Sequence, residues 1–135
     1  MATQVRTDID QLLADSLKEL AAKRPMEKIT IKEITDKAGV IRPTFYNHFQ
    51  DKFELLEWII RTELLEPILP LVRSGMVTEA MVLLFSSIER DKAFYSHVVK
   101  LEGAVTFHDV AQKCVREMLL EIINEQMSGK TPKHK

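Results

Sequence analysis

The chain of 135 residues has a single cysteine, Cys114, and few backbone breakers, with only 4 glycines and 5 prolines. One cysteine cannot close an internal disulfide or build a cysteine-ligated zinc cluster, so a reducing, cytoplasmic setting is expected. The low glycine and proline content disfavours disorder and β-sandwiches. Apolar runs are short: AMVLLF, Ala80 to Phe85, is far below the length that spans a bilayer. The opening MATQVRTDIDQLL carries acidic residues where a signal peptide needs an apolar core. Neither charge sign dominates either. With 19 Lys+Arg against 20 Asp+Glu the formal charge is -1, so a nucleic-acid reading has to rest on local arrangement. No Ser/His/Asp set, paired-carboxylate motif, phosphate-cradling glycine loop or HExxH run occurs, and we expect no catalytic residue, no cofactor and no enzyme activity.

What is present is helical periodicity in a chain long enough for one continuous body. From Thr7 to Lys23, apolar residues at Ile9, Leu12, Leu13, Leu17, Leu20 and Ala21 fall on one helix face, and Pro25 ends the pattern. Thr30 and Glu33 have capping-box spacing, predicting a short second helix that buries Ile31, Ile34 and Ala38 and stops at Gly39. The next pattern begins at Arg42, carries Pro43 in its first turn and buries Phe45 and Phe49. Two short helices around a tight turn make a helix-turn-helix. Asp51 and Glu54 repeat the box spacing ahead of a fourth helix, ended by Pro67 and Pro70. A fifth helix is expected from Val77 to Ile88, a sixth from Lys92 to about Lys100 capped by Asp91, and a seventh from a Thr106 cap to about Met127. The tail SGKTPKHK is basic and polar, and mobility is expected of it. Nothing alternates with strand period, so the predicted class is all-α, with about seven helices. The expected domains are a three-helix helix-turn-helix unit at 1–50, continuing into a helical unit at 51–135.

On a helical wheel, at ~100° per residue, Phe45 and Phe49 point one way with Ile41 near them. The opposite side presents Pro43 and Asn47, flanked by Tyr46 and Thr44, with Arg42 at the leading end. Between Asp36 and Asp51 there is no acidic residue. Such side chains suit a helix in a major groove: Arg pairs with a guanine edge, Asn with adenine, and Thr and Tyr hydroxyls reach phosphates. The amides that open the second and fourth helices, beside Thr30 and Lys52, are natural phosphate anchors. Each residue also has a plainer reading. Tyr46 fits a half-buried tyrosine with a solvated hydroxyl, His48 a packed histidine, Thr30 a simple cap and Lys52 a solvated lysine.

The run ITIKEITDKAGVIRPTFYNHFQDKFELL resembles the DNA-binding signature of the tetracycline-repressor (TetR) family of bacterial transcription regulators, with the likeness spanning about Leu12 to Leu65. The resemblance implies that Arg42, Thr44 and Asn47 approach bases while Thr30, Tyr46, His48 and Lys52 hold the phosphate backbone. It departs from the family at Ile41, where a capping Ser is common. DKAFYSHVVKLEG, Asp91 to Gly103, is similar to the sixth helix of a Gram-positive subgroup that includes dihydroxyacetone-kinase regulators. Family members continue into two further helices that build the dimer interface. A chain stopping after the seventh is therefore expected to be truncated, or to dimerise through Leu119, Leu120, Ile122 and Ile123.

By the same resemblance the second half encloses a small-molecule pocket, for which the candidates are Trp58, Met81, Phe85, Phe94, His97, Phe107 and Met118. Each fits core packing equally. His97 and His108, with Glu102 and Asp109, are read as surface or core residues rather than metal ligands, and no metal is expected. The expected function is a sequence-specific regulator, a repressor, binding double-stranded operator DNA as a homodimer under a small-molecule effector, with no membrane contact. The alternative is a helical interaction or small-molecule-carrier protein that keeps the regulator fold without binding operator DNA.

Overall fold

The computed structural model describes residues 2–128, with side chains from residue 8 onward. Every regular element among the described residues is helical. In order they are α1 (Ala2–Ala21), a 3-10 turn (Met26–Lys28), α2 (Ile31–Ala38), α3 (Arg42–His48), α4 (Lys52–Ile59), a π turn (Ile60–Leu65), α5 (Glu66–Arg73), α6 (Val77–Arg90), α7 (Lys92–Val98) and α8 (Phe107–Met127). The backbone stays right-handed helical across both ends of the π turn, so α4, the π turn and α5 form one rod. Counted that way, the helices match the seven expected from periodicity. The basic tail beyond Ser128 lies outside the described residues. No helix among the described residues is long and apolar enough to cross a membrane.

The first three helices share one core. Leu13, Ala14, Leu17 and Ala21 of α1, Ile34 of α2 and Phe45 of α3 are fully buried, joined by Leu55, Leu56 and Ile59 of α4. Ser16 Oγ donates to the Ile34 carbonyl at 2.7 Å, satisfying a buried hydroxyl and fixing α1 against α2. The predicted box is present. Thr30 Oγ1 accepts from the Glu33 amide at 3.1 Å while the Glu33 carboxylate accepts from the Thr30 amide at 2.9 Å. At the far end of α2, Gly39 takes a left-handed φ of 79°, and the Val40 amide reaches back to the Thr35 carbonyl at 3.0 Å. This Schellman closure turns Val40 onto the core and starts α3 two residues later. Phe49 stacks edge-on against Trp58 at 6.3 Å, fastening the end of α3 to α4.

Several expectations need correction. Pro67 and Pro70 do not end the fourth helix. The π turn carries it through to Arg73, placing Pro67 in the first turn of α5, where a missing amide is harmless. Pro70 lies inside α5 on its exposed side. Asp91 makes no capping hydrogen bond to α7, because its carboxylate accepts from Lys18 instead. The Asp51 box is half formed: Asp51 accepts from the Glu54 amide, but Glu54 accepts from Gln50. Thr106 and Asp109 do form a full box at the start of α8.

Lys18 joins three elements at the seam between the first helices and the rest. Its Nζ lies 2.7 Å from Glu63 Oε1 in the π turn and 2.9 Å from Asp91 Oδ2 ahead of α7. Nearby on α7, the Tyr95 hydroxyl is buried without a hydrogen-bond partner, and its pKa is pushed well up, first by burial and then by the charges of Glu63 and Asp91.

Candidate nucleic-acid interface

The helix-turn-helix sorts its side chains by packing need. With Phe45 and Phe49 drawn into the core, Arg42, Pro43, Tyr46 and Asn47 are left exposed and Thr44 half-exposed on the opposite face of α3. Arg42, Thr44, Tyr46 and Asn47 make no side-chain hydrogen bond or ion pair among the described residues, so their donors are available to a ligand. The wheel is wrong at one place. Ile41 is 66% exposed, not beside the phenylalanines, because it precedes the helix in an extended conformation (φ -96°, ψ 161°). No side chain caps the start of α3, as the missing Ser leads one to expect.

The flanking residues are tied in ways that sequence spacing does not reveal. His48 is half-buried, with Nδ1 2.7 Å from Asp10 Oδ1 of α1. A carboxylate only accepts, so Nδ1–H is the donor and the ring is held to α1. Lys52 Nζ donates to the carbonyls of Met26, Glu27 and Ile29 at 2.8, 3.3 and 2.7 Å. These bonds close the 3-10 turn that leads into α2. Burial lowers the Lys52 pKa, against the charges of Glu27 and Glu33. Arg24 grips Glu33 with two guanidinium nitrogens, at 2.7 and 3.3 Å. That grip, followed by the Thr30 amide, holds the Glu33 carboxyl down at about 2. No local pattern in the sequence marks Asp10, Lys18 or Arg24: the first two meet partners 38 and 45 residues on, and Arg24 meets Glu33 across the turn. Thr30 is exposed, with its hydroxyl engaged in the cap.

The seven pocket candidates are not gathered into one cavity. Phe94 is in the core, Phe85 is 64% exposed, Met81 is exposed, and Trp58, His97 and Phe107 are half-buried in different places. Of the seven only Met118 lines the cleft of about 850 Å³ between the rod's second half and α8. Arg61, Leu65, Glu66, Leu69 and Cys114 line it too. Burial pushes the Cys114 thiol up to about 11, so it is a neutral wall group rather than a nucleophile. Among the described residues no three His, Cys, Asp or Glu groups are placed to hold a metal ion.

Comparison with known proteins agrees with this geometry. Residues 13–59 match the family described as bacterial regulatory proteins, tetR family. That stretch contains α2, α3 and α4. A curated relative, the HTH-type dhaKLM operon transcriptional activator DhaS of Lactococcus lactis subsp. lactis (strain IL1403), is 26% identical over 92 residues, covering 68% of this chain and 49% of the relative. The chain spans about half the length of that relative.

Proposed function

We propose that this chain, which belongs through residues 13–59 to the tetR family of bacterial regulatory proteins, is a transcriptional regulator that reads double-stranded operator DNA with α3 in the major groove. The observation that carries this reading is the face of α3, where Arg42, Tyr46 and Asn47 stand exposed and Thr44 half-exposed, all unpaired among the described residues, in a segment without acidic residues. Arg42 suits guanine O6 and N7, Asn47 adenine N6 and N7, and Thr44 either kind of edge. Tyr46, the amide start of α2 beside Thr30, and His48 lie alongside to meet phosphates, with Pro43 between them. Lys52 serves this surface by holding the 25–30 turn, since its ammonium protons already face three carbonyls.

In this reading residues 1–50 form the DNA-reading unit and 51–135 the regulatory unit, and the protein works in the cytoplasm. A second copy covers the apolar strip of α8 formed by Val115, Leu119, Leu120, Ile123 and Met127, which is exposed here. Two recognition helices then meet half-sites ~34–36 Å apart. A small-molecule effector in the cleft between the rod and α8 alters that spacing, a coupling free energy between two sites. Repression by occupancy needs nothing beyond binding. Activation is the second reading, favoured by the activator role of the Lactococcus relative.

Selection from random duplexes, followed by affinity measurement against salt, tests the proposal. A single enriched palindrome, affinity falling steeply with salt, and Arg42→Ala costing ~1–3 kcal/mol with relaxed choice at one base pair are expected. No enrichment and no salt-dependent binding at any duplex would sink it in favour of a carrier. Expression of the neighbouring genes after deletion separates the two signs of regulation, rising for a repressor and falling for an activator.

A further inference from the structure

Among the apolar residues from Ile29 to Phe49, the core accounts for nearly all. Ile29, Ile34, Phe45 and Phe49 are buried, and Ile31, Ala38 and Val40 pack against them. Ile41 is the aliphatic exception, 66% exposed directly after the inward-turned Val40. The fold gains nothing from it there. A helix start favours Ser, Thr, Asp or Asn, whose side chain accepts an orphan amide, and Ile41 leaves α3 without such a cap. Its extended backbone is open to any residue, so conformation does not demand isoleucine.

Its position is informative. Ile41 leads α3 beside Arg42 and Pro43, both exposed, at the end of the helix that the proposed reading brings to base edges. Of the groups that base pairs display in the major groove, the one suited to an aliphatic side chain is the C5-methyl of thymine. A β-branched side chain is stiff about χ1, so little rotamer freedom is lost when it is fixed against that methyl. We infer that Ile41 is a specificity-determining residue that packs on a thymine methyl in each operator half-site. The inference rests on the DNA-reading function proposed above.

The test uses the full chain and its selected duplex, with each thymine replaced in turn by deoxyuridine, which lacks only the methyl. One position per half-site should lose about fourfold in affinity for each methyl removed, the value for burying one such group. Ile41→Ser should abolish the thymine-over-uracil preference at that position while leaving the other positions unchanged. Because serine restores a favoured cap, the variant should melt no lower than the wild type, and Ile41→Val should keep the preference. Indifference to uracil at every thymine overturns the inference, and so does a preference that survives in Ile41→Ser. Failure to enrich any duplex refutes the DNA-reading function and the inference with it, whereas an enriched operator indifferent to uracil refutes the inference alone.

Discussion

Replacing Lys18 by Met isolates the connection between the first three helices and the rest of the chain. The ammonium makes two charge-assisted hydrogen bonds, 2.7 Å to Glu63 and 2.9 Å to Asp91, and its side chain is only 16% exposed. Such a bond is worth ~1.5–3 kcal/mol net. Both carboxylates keep some solvent, which screens the pair and lowers the sum to ~2 kcal/mol. A chain of this size then melts about 6–10 °C lower. Urea unfolding followed by far-UV circular dichroism should show the midpoint falling with an unchanged slope. The triple variant Lys18→Met, Glu63→Gln, Asp91→Asn should recover most of the loss, since no unpaired charge remains at the seam. pH gives a second readout. Burial lowers the Lys18 pKa, but the bonds to Glu63 and Asp91 outweigh it and leave the group above its ordinary 10.5. The stabilisation is therefore fully present below pH 10.5 and lost as pH rises through the higher folded value. The gap between wild type and Lys18→Met should stay flat from neutral pH to about 10 and narrow above it. Tyr95 ionisation weakens both proteins alike in that range, so the difference is the quantity to follow. A loss under ~0.5 kcal/mol, or a triple variant no more stable than the single one, refutes the account.

Other expectations follow from the same contacts. Glu33, held at about 2, contributes stability that is present above its ordinary 4.5 and lost as pH falls through the folded value; Arg24→Ala should move its carboxyl titration upward by NMR. Phe45→Ala empties a fully buried site and should cost ~3–5 kcal/mol in urea unfolding, taking α3 and its surface with it. Lys52→Met should speed hydrogen exchange at the amides of the 25–30 turn while leaving the salt slope of duplex binding unchanged; a slope lower by about one would place the ammonium on a phosphate instead. Thr106→Ala removes half of a capping box and should cost ~1 kcal/mol, seen as fraying of α8 by circular dichroism.

Signals confined to three or four residues were readable without coordinates. The Thr30–Glu33 and Thr106–Asp109 boxes, the left-handed Gly39 and the inward Phe45 and Phe49 all stand where spacing put them. The exposed face of α3 followed from the phenylalanines, because a short helix that buries one side must present the other. Local rules failed where a distant partner outbid a near one. Asp91 answers to Lys18 across the fold, and Lys52 reaches carbonyls more than twenty residues earlier. The prolines misled for a related reason: Pro67 follows directly on the wider turn, at the second residue of α5, and Pro70 is carried inside α5 on its exposed side.

That wider turn also sets the rotational phase of the rod. Leu56 and Ile68 lie twelve residues apart, which in a regular α-helix leaves them turned ~120° from each other. Yet both are buried, Leu56 in α4, which packs on α1, and Ile68 in α5, which packs on α6. By taking more residues per turn, Ile60–Leu65 delays the rotation and brings the second stripe back toward the line of the first. Regularising the turn with all its residues kept would swing the Ile68 side ~120° from the line of Leu56, whereas loss of one residue there would leave a regular helix with the two only ~20° apart. The angle at which the first three helices face the remainder of the protein is thus keyed to a single residue's worth of helical slack.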